Sequence, residues 1–215
     1  LFYERFIKNA EITLFSPNHV PDLYEAFGMP EFDNLYLKYE KDKSIPKQTI
    51  GAQDLFQALL KERAETGRIY IMNLDHCNTH SSFKDKVYMS NLCQEITLPT
   101  TPVQHIDDKE GEIALCILSA INLGLLTDMN ELEELCDLSV RALDEIIDYQ
   151  EYPVEAAKIS AQSRRSLGIG YIGLAHYLAK NQVKYEDKKA WKLVDKITEA
   201  CKFYLLTASN NLAKE

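Results

Sequence analysis

Apolar side chains recur at helical spacing near both ends of the chain and cluster in short runs between them. Phe2, Phe6 and Ile7 make a short helical face within Leu1 to Ala10. Phe32, Leu35, Tyr36 and Tyr39 share one side of a helix predicted over Glu31 to Glu40. A stronger helix is predicted over Ala52 to Glu65, with Leu55, Phe56, Leu59 and Leu60 inward and Gly67 as its stop. Between these, Ile12 to Phe15 is a short apolar run closed by Ser16-Pro17. Arg68 to Met72, rich in branched and aromatic residues, reads as a strand. Asp75 to Met89 is polar and irregular. Leu92 to Leu98 is extended or loop-like and ends at Pro99. Glu112 to Ala120 reads as a buried strand passing into Asn122-Leu123-Gly124. From Asn130 the pattern is nearly all helical. Leu135, Leu138, Leu143, Ile146 and Ile147 lie on one helix over Leu132 to Ile147, another helix follows Gly173, and the last begins near Asp187. Helices around a few short buried strands indicate an α/β or mixed fold, and no internal repeat interrupts it.

Composition narrows the class. The chain has 215 residues, 46% of them apolar, enough for one large domain or part of one, so 1–215 is expected to be a single partial domain. With 24 Lys and Arg against 33 Asp and Glu, the formal charge is −9. That surface repels phosphate backbones and argues against a non-specific nucleic-acid partner, though not against a local nucleotide pocket. The five cysteines, Cys77, Cys93, Cys116, Cys136 and Cys201, show no C-x-x-C spacing. An odd, unpatterned set fits a reducing compartment, hence a cytoplasmic location, better than a secreted disulfide framework. No stretch approaches the ~20 apolar residues of a membrane span, and Leu1-Phe2-Tyr3-Glu4-Arg5 is not a signal peptide. There is no initiator Met, and the final apolar pattern is still helical at Glu215 without a Gly or Asn cap. The chain is therefore expected to be an excerpt of a longer one.

The densest chemistry lies in Ser90-Asn91-Leu92-Cys93-Gln94-Glu95-Ile96. In an extended segment Asn91, Cys93 and Glu95 point to the same side, presenting an amide, a thiol and a carboxylate together. Spacing alone fits equally a solvated strand edge with an inert cysteine. Cys116, inside an apolar run, reads by itself as a core cysteine.

Longer runs carry more. Thr13-Leu14-Phe15-Ser16-Pro17, Thr66-Gly67-Arg68-Ile69-Tyr70-Ile71, Asp75-His76-Cys77-Asn78-Thr79-His80 and Ser90-Asn91-Leu92-Cys93 follow one another in order. After them come Gly111-Glu112-Ile113-Ala114-Leu115-Cys116, Val140-Arg141-Ala142-Leu143-Asp144 and Asp148-Tyr149-Gln150. With these runs the chain resembles, from Leu1 to Glu215, the large subunit of class I ribonucleotide reductases, of the class Ia bacterial and phage type. The resemblance implies part of a ten-stranded α/β barrel made of two five-stranded halves, helix-rich, with a finger loop carrying a radical cysteine into the barrel centre. It places Cys93 at that tip with Asn91 and Glu95 beside it. It makes Cys116, on a barrel strand, one half of a reducible dithiol whose partner cysteine lies outside this sequence. It implies a ribonucleoside diphosphate substrate, a radical-generating, metal-containing small subunit, a thioredoxin or glutaredoxin reductant, and the remaining parts of the large subunit as partners. No cofactor or metal is expected in this segment itself. The ATP and deoxynucleotide effectors would bind regions outside it, and the fragment alone is expected to be inactive. A second reading is a split or degenerate fragment acting only as an assembly partner.

Three further signals are weighed and set aside. Gly168-Ile169-Gly170-Tyr171-Ile172-Gly173 is a literal G-x-G-x-x-G, but Gln162 to Ser166 before it is not the buried strand a dinucleotide fold requires. These glycines are expected to serve close packing or an irregular turn before a helix. His76, Cys77 and His80 lack a fourth zinc ligand and the clustered partners zinc sites use. Arg164-Arg165 is expected to be a solvated or helix-capping pair rather than a phosphate contact. The connection Ser81 to Met89 is shorter than expected for the bacterial enzymes.

Overall fold

The computed structural model describes residues 1–215, which divide into two compact units, Leu1–Pro99 and Thr100–Glu215. No helix is long and apolar enough to cross a membrane.

The first unit runs α1 (Phe2–Ile7), β1 (Glu11–Phe15), α2 (Pro21–Glu25), α3 (Phe32–Lys41), β2 (Lys47–Gly51), α4 (Ala52–Thr66) and α5 (Leu74–Thr79). The strands β1 and β2 pair antiparallel, with Glu11 opposite Gly51 and Phe15 opposite Lys47. Helix α3 packs on them through Tyr36, which joins Val20 and Leu23 in a core edged by Phe15, Phe32 and Tyr39. The Tyr36 hydroxyl satisfies both backbone groups of Thr13, donating to its carbonyl at 2.7 Å and accepting from its N–H at 2.6 Å. Arg5 forks onto Glu40 at 2.5 and 2.6 Å, and Thr13 Oγ1 donates to the same carboxylate. Lys47 Nζ reaches the carbonyls of Tyr39 and Glu40, a cation at the negative end of α3. The Phe6 and Phe56 rings meet edge-on at 4.8 Å between α1 and α4. Gly67 ends α4 in the left-handed conformation, φ 67°.

The expected helices over Glu31–Glu40 and Ala52–Glu65 are present, and the apolar run Ile12 to Phe15 lies in strand β1. Two readings change, and one strand is present that no reading covered. Arg68 to Met72 is irregular rather than a strand. Strand β2 was hidden because Lys47-Gln48-Thr49 offers no apolar alternation, and it exists through pairing with β1. The supposedly irregular Asp75 segment opens as helix α5.

The second unit runs β3 (Leu118–Asn122), a 3-10 turn at Leu123–Leu125, α6 (Glu131–Tyr149), α7 (Glu155–Arg164), β4 (Gly168–Ile172), α8 (Leu174–Lys180) and α9 (Lys188–Leu212). Strands β3 and β4 are parallel, with Leu118 opposite Gly168 and Asn122 opposite Ile172. One face of this pair is covered. Ile121 and Leu123 pack with Leu132 and Cys136 of α6 and Ile197 and Cys201 of α9. Ile117 packs with Leu143, Ile147 and Ala161, backed by Leu167 and Ile169. The other face leaves Leu118 and Ile172 each 55% exposed. The segment Glu112 to Ala120 is therefore strand only from Leu118, and buried on one side rather than both. Gly168 and Gly170 lie within a strand, not an irregular turn. Close packing does hold at Gly168, where a Cβ would meet Leu118 Cδ2 at 2.5 Å. Gly173 turns the chain into α8 at φ 74°, as only glycine does without strain.

The two arginines are neither solvated nor free. Arg164 forks onto Glu112 at 2.7 and 2.8 Å. Arg165, at the left-handed end of α7, bonds Asp144 at 2.6 Å and Asp148 at 2.9 Å. Glu112 also accepts from Thr101 Oγ1 at 2.7 Å, so this pair ties the irregular start of the unit to α7.

The Arg164 hydrogen bonds hold the Glu112 carboxyl below its ordinary range, outweighing the opposing effect of burial. A carboxylate depressed in this way stabilises the fold above its unfolded pKa, and that contribution is lost as pH falls through the folded value. Glu112→Gln should therefore cost about 1–3 kcal/mol at pH 7, where the native pair is ionised, and much less near pH 3. Urea unfolding of both proteins at the two pH values tests this, and an equal difference at both would contradict it.

Candidate active site

The loop that bears Asn91, Cys93 and Glu95 belongs to the first unit and has no regular secondary structure. Side chains hold it. At its base, Asn78 of α5 accepts from the Val87 N–H at 2.8 Å and donates to the Val87 carbonyl at 2.9 Å. An amide thus pairs with the backbone as a neighbouring strand would, and Val87 is fully buried. Gly28, at φ 71°, allows the start of α5 to lie close, since a Cβ there would sit 3.0 Å from the Asp75 nitrogen.

Beyond Val87 the chain passes through Tyr88 and Ser90 and closes on itself. The Asn91 N–H donates to the Ile96 carbonyl at 3.3 Å, and the Ile96 N–H donates to Asn91 Oδ1 at 3.1 Å. Within this clasp the Gln94 N–H donates to the Asn91 carbonyl at 3.2 Å, forming a turn over Leu92 and Cys93. Gln94 takes φ 64°, a left-handed conformation costly for a side-chain-bearing residue. The turn puts Cys93 at its apex, exposed, with Leu92 beside it 90% exposed.

This replaces the extended geometry expected from the alternating spacing. Asn91, Cys93 and Glu95 are grouped by a turn, not by strand alternation. Asn91 is itself the clasp, while Cys93 and Glu95 are exposed. Because the Ile96 N–H needs an acceptor, the Asn91 oxygen faces Ile96, and its amide NH₂ is left as the donor side.

Cys116 lies in the second unit, two residues before β3, and is exposed; its neighbour Ile117 is buried. It is not the core cysteine that its apolar run suggests. Cys136 and Cys201 are the core pair, with Cys136 Sγ 4.0 Å from the Cys201 carbonyl oxygen. Burial pushes the Cys136 thiol up to about 12, with Cys201 adding to the effect. Burial likewise raises Cys201. Neither is a ready nucleophile.

His76 and His80 stand one turn apart, ring centroids 6.2 Å, and no three His, Cys, Asp or Glu side chains group around them. A cavity of about 530 Å³ in the second unit lies among Val140, Asp144, Arg165, Leu205 and Leu206 and includes none of Asn91, Cys93, Glu95 and Cys116. Asn78 was missed from sequence, although the run containing it stood out; an amide pairing with a backbone nine positions away leaves no periodic signal.

If Asn91 is the clasp, Asn91→Ala should free the Ile96 N–H, and its hydrogen exchange should rise about tenfold, the equivalent of 1.4 kcal/mol. Asn91→Asp, which keeps the acceptor, should stay near the parent. Equal protection of Ile96 in the alanine variant would refute the clasp.

The family described as ribonucleotide reductase, barrel domain, matches residues 1–215. The chain is 59% identical to the ribonucleoside-diphosphate reductase subunit alpha of Haemophilus influenzae and 58% identical to that of Buchnera aphidicola from Schizaphis graminum. It is 42% identical to the subunit alpha of Enterobacteria phage T4. Each comparison covers 100% of this chain and 29% of the relative, so the chain spans under a third of those proteins.

Proposed function

Given that this chain belongs to the ribonucleotide reductase family, over its barrel domain, we propose that it is the segment of a ribonucleoside-diphosphate reductase large subunit that carries the radical thiol. The observation that supports this most is the clasped turn with Cys93 at its apex. A thiol that must meet a substrate carbon has to project from the backbone, and it has to be held there before the substrate arrives.

The chemistry then assigns each residue. A thiyl radical at Cys93 takes the 3′ hydrogen of a ribonucleoside diphosphate. Glu95, two residues on, accepts the 3′-hydroxyl proton as general base. Asn91, its oxygen engaged by Ile96, donates through its NH₂ to a substrate hydroxyl or to Glu95. The 2′-hydroxyl leaves as water. Cys116 and a cysteine from elsewhere in the large subunit supply two electrons and two protons and close a disulfide, and Cys93 returns its hydrogen to C3′. The remaining parts of the subunit exclude water from the radical. A metal-containing small subunit supplies the radical, thioredoxin or glutaredoxin reopens the disulfide, and nucleotide effectors act on other regions of the large subunit. A cytoplasmic location accords with the need for reduced thiols. The 29% span supports a second reading, in which the isolated chain only assembles with other pieces; adding back the rest of the subunit separates the two.

Two substitutions in the complete subunit test this reading. Cys93→Ser should abolish reduction while leaving substrate binding intact, because a serine O–H is far harder to oxidise. Measurable turnover would sink the assignment. Glu95→Gln keeps size and hydrogen bonding but cannot take the proton, so steady-state turnover should fall at least about 10²-fold. Activity within a few-fold of the parent would mean that Glu95 is structural.

A further inference from the structure

Helix α5 carries a side chain that the steps above leave unused and that reaches the loop of Cys93. Asn78 spends one amide hydrogen on its own helix, donating to the Leu74 carbonyl at 3.0 Å. That bond fixes the plane of the amide. The other hydrogen donates to the Val87 carbonyl at 2.9 Å, and Oδ1 accepts from the Val87 N–H at 2.8 Å. Val87 is 0% exposed, so its side chain and both its backbone groups are committed at once. From Val87 four residues lead to Asn91, a span of at most about 14 Å. Tyr88, the first of them, is held as well. Its hydroxyl donates to Glu25 Oε2 at 2.9 Å, and its ring stacks on Tyr24 with planes 15° from parallel. Asn91 then closes the turn on Ile96, with Cys93 at its apex. A short, restrained stretch of chain thus joins Asn78 to the turn that bears the thiol.

The requirement at position 78 is narrow. One planar group must offer an acceptor and two donors at a fixed distance from α5. Aspartate lacks the donors, and glutamine sets the same group one methylene further out. Both amide hydrogens are used within the protein, so Asn78 holds the loop and is not spent on substrate. Without it, two buried backbone groups of Val87 lose their partners, and the base of the loop shifts to find others. Such a shift matters because hydrogen-atom transfer requires sulfur and the C3′ hydrogen to be in contact. A misplacement of about 1 Å, even from a change far from the reacting atoms, can cost about 10²-fold.

We propose that Asn78 is a positioning residue for hydrogen abstraction at C3′, setting through Val87 the place at which Cys93 meets the substrate. The proposal rests on the radical role given to Cys93 above. Asn78 touches no reacting atom and changes no protonation state. It acts by making the contact between sulfur and the C3′ hydrogen available without a search by the loop.

The test uses the complete large subunit with its small subunit, reductant and substrate, and compares ribonucleoside diphosphate carrying hydrogen or deuterium at C3′. Deuterium slows turnover only as far as cleavage of the C3′ bond limits it. Asn78→Ala should lower kcat at least about tenfold with KM within a few-fold of the parent, and its deuterium isotope effect should exceed the parent's. Asn78→Asp, which keeps the acceptor for the Val87 N–H, should lie between the two, and it supplies the reading if Asn78→Ala does not fold. His76→Ala, on the exposed side of the same helix, should match the parent in kcat and in isotope effect. Parent-like kcat in Asn78→Ala would overturn the proposal and leave the function of Cys93 intact. So would a lowered kcat with an unchanged isotope effect, which reports only a smaller folded fraction, or the same rise in His76→Ala. Parent enzyme that makes no deoxynucleotide would overturn the proposed function itself, and this inference with it.

Discussion

A loop without helix or strand cannot present a side chain at a fixed place unless other groups satisfy and restrain its backbone. Between α5 and Pro99 two asparagines meet that requirement. Asn78 pairs with both backbone groups of Val87, and Asn91 accepts from Ile96 across the turn. Each such bond contributes only about 0.5–1.5 kcal/mol net. Their importance is positional, because together they leave Cys93 one place to be. The left-handed Gln94 is the local cost of a turn that tight.

The second unit reaches a similar result by other means. Its two parallel strands make a small sheet, and such sheets depend on cover from helices. Helices α6, α7 and α9 cover one face through Ile117 and Ile121. The Arg164–Glu112 fork fixes the irregular chain that leads to Cys116. Within these residues the strands close no barrel; the chain is a helix-rich α/β piece of a domain whose relatives are more than three times as long.

The five cysteines show how setting divides one residue type. Cys136 and Cys201 lie in the apolar α6–α9 core, where a thiolate is strongly disfavoured. Cys93 and Cys116 face outward, at the apex of a turn and at the approach to a strand. Apolar neighbours in sequence did not separate these pairs. Cys116 sits between Leu115 and Ile117 and is exposed, whereas Cys136 sits between Leu135 and Asp137 and is buried.

The sequence by itself determined the long helices, because α3, α4, α6 and α9 carry apolar stripes at a period that no other local structure satisfies. Its ordered runs also identified the family and pointed to Asn91, Cys93, Glu95 and Cys116. Tertiary structure decided what depends on partners distant along the chain. Strand β2 exists through pairing with β1, β4 through pairing with β3, and Arg164 is bound by a carboxylate 52 residues away. The turn at Cys93 belongs to the same class. Alternation predicted an extended face, but hydrogen bonds from Asn91 and the left-handed Gln94 bent it, and the base of the loop is set by an amide on α5. Periodicity records which side of an element is apolar; it carries no record of which distant polar group will satisfy a given backbone N–H, and that choice shapes this loop.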